Sequence, residues 1–225
     1  CATGDPDASA PPDDALATFH DQELAWEACD DYATTALETE VYAAVADVAE
    51  CARLSVPLDY DDPEGETAQV AVLRVAARGD SMGHVVTNHG GPGGSGLLGT
   101  AGAAAALLES EITERFDLVG FDPRGVGATT PAASCMTDEE SDEGSVRTSS
   151  VDGTAEWTEE TTRDLFERCA EGSGGEDALT HMGTVDTARD MDVLRAVLGE
   201  EQLTYLGQSY GSRLGAVYAE QFPER

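Results

Sequence analysis

Gly207-Gln-Ser-Tyr-Gly211 restricts the folding of this chain more than any other stretch. It lies between a four-residue apolar run, Leu203-Thr-Tyr-Leu206, and an amphipathic stretch from Tyr210 to Phe222 that stops at Pro223. A strand that becomes a helix within so few residues brings two backbones nearly into contact. The flanking positions must then lack side chains. Ser209, at the apex, is expected in a strained conformation with its hydroxyl exposed. The helix N-terminus behind it favours developing negative charge. In a chain with 24 glycines the string alone is weak. The plainer reading makes Gly207 a strand end and Ser209 a helix cap.

Further strand signals precede this turn. Leu54 to Tyr60 alternates, turns at Asp61-Asp-Pro-Glu-Gly65, and is followed by a Val- and Leu-rich run from Gln69 to Ala77. The two are expected to form a hairpin. His84-Val-Val-Thr-Asn88 and Phe116-Asp-Leu-Val-Gly-Phe121 are short apolar strands, the first ending at glycines, the second at Asp122-Pro-Arg-Gly125. Ala188, Met191, Leu194, Val197 and Leu198 share one helical face, with Thr187 and Asp190 as a capping box and Gly199 as the stop. Val41, Ala44, Val45 and Val48 suggest a second packed helix between Glu23 and Cys51. Strands alternating with helices after an opening hairpin predict an α/β fold, with a mostly parallel sheet flanked by helices and parallel from its third strand onward. Residues 1–22 are expected to be a flexible acidic tether, and 23–225 the folded unit. Between Asp138 and Asp177 there are 14 acidic residues and 3 Arg, so 129–181 reads as an acidic surface excursion, partly helical from Trp157 to Ala170.

His89-Gly-Gly-Pro-Gly-Gly-Ser-Gly96 follows the third strand signal. Its glycines allow backbone N–H groups to face a ligand unobstructed. Next to an exposed serine, such donors would stabilise the oxyanion of a tetrahedral intermediate, worth about 3–4 kcal/mol each. The expected donors are the amides of Gly91 and of Tyr210. A phosphate loop is disfavoured, because no Gly-Lys-Ser/Thr follows and the chain has no Lys. No cofactor is called for.

The net charge of -33 disfavours nucleic-acid binding, which needs a basic surface. Its simplest meaning is a strongly solvated acidic surface. No apolar run reaches the roughly 18 residues of a membrane span. Five cysteines lack the spacing of a zinc site, and no metal is expected. Cys29 and Cys51 bracket one segment, Cys135 and Cys169 another. Two disulfides would leave Cys1 over and suit an oxidising, extracytoplasmic compartment; five buried thiols is the alternative. A chain that begins with Cys and continues in small polar residues resembles a processed bacterial lipoprotein. That implies lipid attachment at Cys1 and a membrane tether.

HGGPGGSG, FDLVGFDPRGVG and the stretch from TARDMDVL to QFPER together resemble the secreted tripeptidyl aminopeptidases and their prolyl aminopeptidase relatives. The resemblance runs from about Cys51 to Arg225, and weakly around Trp26 and Cys29. It implies the N-terminal portion of an α/β-hydrolase fold, with a Ser-Asp-His triad that uses no metal. It also implies release of short peptides from free N-termini. The nucleophile carries over to Ser209 and the oxyanion loop to 89–96, with His89 shaping the loop. Chain order in such enzymes puts the acid and the histidine after the serine, yet His20, His84, His89 and His181 all precede it. The triad Asp and His are therefore expected beyond Arg225, in a C-terminal half that completes the enzyme. A carboxylesterase of the same fold and a non-catalytic, surface-anchored remnant are the competing expectations.

Overall fold

A computed structural model describes residues 15–107, 109–136, 139 and 158–225. Five strands form one sheet: β1 (Ala49–Pro57), β2 (Thr67–Val75), β3 (His84–Asn88), β4 (Asp117–Phe121) and β5 (Tyr205–Gly207), in the order β1-β2-β4-β3-β5. β1 and β2 are the expected hairpin, in register from Ala49↔Val75 to Pro57↔Thr67. β2 meets β4 antiparallel, and β3 runs parallel to both β4 and β5. The sheet is thus mixed rather than mostly parallel, and parallel from its third strand, as expected, with β5 at one edge.

The strands read as apolar runs because both faces are covered. Side chains alternate between faces along a strand. Val70 and Val72 of β2 accordingly enter one cluster, with Val86, Val119, Met191 and Leu194; Ala71 and Leu73 enter the other, with Cys51, Leu97, Ala101 and Leu118. The first face is covered by α1 (Ala17–His20), α7 (Thr184–Val197) and α8 (Tyr210–Gln221). The second is covered by α2 (Ala36–Val45) and α3 (Gly96–Ala106), and α4 (Glu111–Arg115) leads into β4. Within the excursion lie α5 (Glu159–Gly172) and α6 (Glu176–Thr180). Trp157, expected at the start of α5, lies outside the described residues.

Four sequence expectations change. Residues 15–22 are not tether: Leu16 and Phe19 are buried against the first face, and the Gln22 side chain bonds the Ser55 N–H and C=O across β1. Cys1 and the rest of the expected tether lie outside the described residues. α2 buries Glu38, Tyr42 and Val45, and leaves Ala44 and Val48 exposed; Val48 falls beyond the helix, just before β1. The strand starts at Ala49, well ahead of the alternation from Leu54, because the Cys29–Cys51 disulfide and the Glu27↔Cys51 bridge extend its pairing backward.

α7 also begins earlier than expected, at Thr184 with Gly183 as N-cap. Thr187 lies inside the helix and its hydroxyl donates back to the Gly183 carbonyl, 2.9 Å. Asp190 caps nothing; a buried arginine claims its carboxylate, as described below. Gly199, with φ +74°, ends the helix as expected.

Both expected disulfides are present, Cys29–Cys51 and Cys135–Cys169, closing loops of 22 and 34 residues. In the chain-entropy account each stabilises the fold by about 3–4 kcal/mol. The second fastens α5 to the stretch after β4. That stretch is itself held to the sheet by the Gln69↔Thr130 bridge, so the excursion leaves and returns at fixed points.

Candidate active site

The C-terminal ends of β3, β4 and β5 converge on the turn at Ser209. Ser209 has φ 52° and ψ −122°, and is the only non-glycine with positive φ among the described residues. Such backbone strain, of order 1–3 kcal/mol, persists only where the surroundings impose it. Here they do. The turn from β5 into α8 presses against β3, and a Cβ on Gly211 would overlap the Asn88 carbonyl oxygen. The Ser209 side chain makes no capping hydrogen bond and the residue is exposed. The helix-cap reading therefore fails, and the hydroxyl is free to act as a nucleophile.

The glycine loop lies directly against this turn. Gly90 has φ +89°, and a Cβ there would stand 2.7 Å from the Gln208 oxygen, 2.8 Å from the Tyr210 nitrogen and 3.0 Å from the Ser209 Cβ. Only glycine allows that approach. Among the described residues no protein group accepts the N–H of Gly91 or of Tyr210. The structure thus brings the three residues singled out in the sequence, Ser209, Gly91 and Tyr210, to one place. Two unclaimed backbone donors beside an exposed serine suit an anion developing on an acyl oxygen. The Tyr210 hydroxyl is hydrogen-bonded to Thr184 Oγ1, which fixes the ring over the N-terminus of α7.

The far end of the loop is anchored by Asp122. This carboxylate is fully buried and accepts from Ser95 Oγ (2.7 Å), the Leu97 N–H (3.2 Å) and the Ala128 N–H (2.9 Å). Burial holds its pKa above the ordinary carboxylate value, and the three donors work against that rise. Beside the loop opens a cavity of about 710 Å³. The loop, the 123–127 segment and the junction of α6 with α7 enclose it, with Met182, Thr184 and Tyr210 among its walls.

Sequence reasoning passed over Arg124 and gave Asp190 only a capping role. Arg124 is buried, and all five of its N–H groups are taken: Nε and Nη2 by Asp190 at 2.7 and 2.8 Å, Nη2 also by Pro57 O at 2.5 Å, and Nη1 by Leu58 O at 2.5 Å and His181 O at 3.3 Å. Tyr60 donates to the same carboxylate at 2.8 Å. Burial disfavours the Arg124 charge, but the adjacent carboxylate outweighs it and drives the pKa above its ordinary range. This group knots the end of β1, the loop after β4, α6 and α7 together beneath the cavity. The signal was present in Asp122-Pro-Arg-Gly125: an arginine directly after an apolar strand needs acceptors for a rigid fork of five donors.

The upstream histidines have other partners. The His181 nitrogens face Asp59 at 3.9 Å and Asp186 at 3.8 Å, and burial raises the Asp186 pKa. His84 Nδ1 lies 2.8 Å from Glu200. The His89 ring packs over Gly99, in keeping with a loop-shaping role. None of these contacts involves Ser209. Among the described residues no cluster of three His, Cys, Asp or Glu could hold a metal ion, and no helix is long and apolar enough to cross a membrane.

A strained serine between a parallel strand and a helix, faced by a glycine loop from the neighbouring strand, defines the nucleophile turn of an α/β hydrolase. A family model described as the alpha/beta hydrolase fold matches residues 83–225. The chain belongs to that family. It is 45% identical to the serine protease Hip1 of Mycobacterium tuberculosis over 178 residues, which is 78% of this chain and 34% of the relative. It is 41% identical to a tripeptidyl aminopeptidase of Streptomyces coelicolor over 183 residues, 78% of this chain and 33% of that protein. It is 42% identical to a carboxylesterase B of M. tuberculosis over 154 residues, 65% and 28% respectively. The chain spans about a third of the length of these relatives.

Proposed function

We propose that the protein carrying this chain is an exported serine aminopeptidase that releases short peptides from free N-termini through an acyl-Ser209 intermediate. The observation that carries this reading is Ser209 itself: φ 52°, hydroxyl exposed, and the unclaimed amides of Gly91 and Tyr210 beside it. Ser209 Oγ attacks the acyl carbon of the scissile bond. Its proton passes to a histidine, and an aspartate orients that histidine. The negative charge moves to the former carbonyl oxygen, between the two amides. The leaving amine takes the proton back, and water then releases the acyl group. The His and Asp are proposed to lie in the part of the relatives' length that this chain does not span. Similarity to a serine protease and a tripeptidyl aminopeptidase supports the peptide substrate. Two disulfides support an oxidising location, and Cys1 is proposed as a lipid-bearing tether.

A carboxylesterase is the second reading, favoured by the relative of that name; acyl transfer to Ser209 serves esters and amides alike. The test is fluorophosphonate labelling of the full-length protein, read by intact mass, with Ser209→Ala beside it. Stoichiometric labelling at Ser209, lost in the variant together with about 10⁴-fold or more of the hydrolysis rate, is expected. Absence of labelling in the unaltered protein would end the hydrolase reading. Comparing a tripeptidyl amide with a simple aryl ester then separates the two substrate classes.

A further inference from the structure

Two structural arms meet at the site: the loop that offers the Gly91 amide and the turn that offers Ser209 and the Tyr210 amide. Their relative placement decides whether the two donors converge on one oxygen. A displacement of about 1 Å in such a constellation can cost on the order of 100-fold in rate. A single residue is bonded to both arms. Asn88, the last residue of β3, is buried. Its backbone carbonyl accepts the Gln208 N–H at 2.9 Å, one residue before the nucleophile. Its side-chain oxygen accepts the Gly90 N–H at 3.0 Å, one residue before the expected donor. The acceptor must be the carboxamide oxygen, because an amide N–H is the donor.

These bonds also take several amides of both arms out of the set of free donors. Gly90 packs against the Ser209 turn, yet the Asn88 side chain occupies its N–H. The Gly90 carbonyl takes the Gly94 N–H at 3.3 Å. On the other arm the Gly211 and Ser212 amides fold back onto Gln208 O and Ser209 O, at 2.7 and 3.1 Å. Among the described residues the Gly91 and Tyr210 amides have no protein acceptor, and neither do those of Gly93 and Ser209. α8 closes over the Asn88 side chain, since a Cβ on Gly211 would stand 2.9 Å from its Oδ1.

We infer that Asn88 is a positioning residue for acyl transfer: it ties the glycine loop to the nucleophile turn, takes the Gly90 amide out of play, and so sets the Gly91 amide against the Tyr210 amide as oxyanion donors. This rests on the hydrolase reading above. The side chain must accept a hydrogen bond, fill this space and stay neutral. A carboxylate here would accept the same bond, but would set a negative charge beside the oxyanion.

The test uses the full-length protein, unaltered and as Asn88→Ala and Asn88→Asp. Active sites are titrated with the fluorophosphonate, and kcat and KM are measured per titrated site across pH, with Tm recorded alongside. Asn88→Ala is expected to lower kcat per site by roughly 10- to 100-fold with KM within about threefold, the signature of an interaction made in the transition state. Asn88→Asp, which keeps the acceptor, is expected to retain the wild-type Tm at acid pH, where its carboxyl is neutral. Its kcat should fall with rising pH through an ionisation absent from the unaltered protein. If Asn88→Ala lowers only Tm and the titratable fraction, with kcat per site unchanged, the residue is structural and the inference fails. It fails equally if Asn88→Asp matches the unaltered protein at every pH. An unaltered protein that does not label at Ser209 overturns the hydrolase reading and this inference together.

Discussion

Two regions at the same end of the sheet treat their hydrogen-bonding groups in opposite ways. Around Arg124 all five donors find acceptors, and Asp190 is shared by Arg124 and Tyr60. Around Ser209 a strained backbone is held in place while the Gly91 and Tyr210 amides stay unclaimed. The first arrangement suits stability, since each buried polar group left unpaired costs about 1–3 kcal/mol. The second suits chemistry, because a donor already spent on the protein cannot stabilise an oxyanion. The rigid knot lies directly beneath the cavity that the reactive turn faces, and the strain at Ser209 survives because its surroundings do not yield.

The contrast predicts that damage to the knot appears in stability and damage at the turn appears in rate. Arg124→Met strands the Asp190 carboxylate in the interior and should cost about 3–5 kcal/mol in urea unfolding, the usual result of breaking a buried pair from one side. Arg124→Met with Asp190→Leu should recover much of that loss. A double variant as unstable as the single one would show that the bonds to Pro57, Leu58 and His181 matter more than the charge pair.

Gly90→Ala forces a Cβ into the Gln208 carbonyl and the Tyr210 nitrogen at a φ that alanine resists. It should lower kcat per labelled site by about 100-fold, or nearly 3 kcal/mol, while Tm falls by only a few degrees. A large loss of Tm with kcat intact would erase the distinction between the two regions.

Asp122 stands between them, buried like the knot but holding the loop. Asparagine at this position cannot accept all three hydrogen bonds, so Asp122→Asn should destabilise by about 1–3 kcal/mol. The pH dependence has a definite sign. Burial raises the folded pKa of Asp122, so between its ordinary and its folded value the folded state binds more protons than the unfolded state. The contribution of this group to stability therefore falls as pH rises through that interval. The asparagine variant lacks the dependence, so its deficit relative to the unaltered protein should be largest on the acid side and shrink as pH rises. Paired urea titrations at acid and neutral pH measure this, and a deficit that grows with pH would refute it.

The reactive turn was legible because its causes are local. The strand, the tight turn and the helix lie within about twenty consecutive residues. The steric need for glycine at 207 and 211 follows from that geometry alone, whatever packs around it. The strand set, the hairpin and both disulfides were legible for a similar reason: apolar runs, turn residues and bracketing cysteines carry their signals at short range. Asp190 shows where such reasoning stops. Three residues after Thr187 it matched a helix cap, yet its partner Arg124 lies 66 residues away in the chain. Leu16 and Phe19 were lost in a polar stretch for the same reason, since only the presence of the first sheet face turns a short apolar pair into core. Sequence determined which residues could react and which segments would pair. Tertiary structure decided which buried charges meet, and which amides are spent by a residue such as Asn88. A hydrogen bond depends on placement in space, and chain order fixes placement only over a few residues.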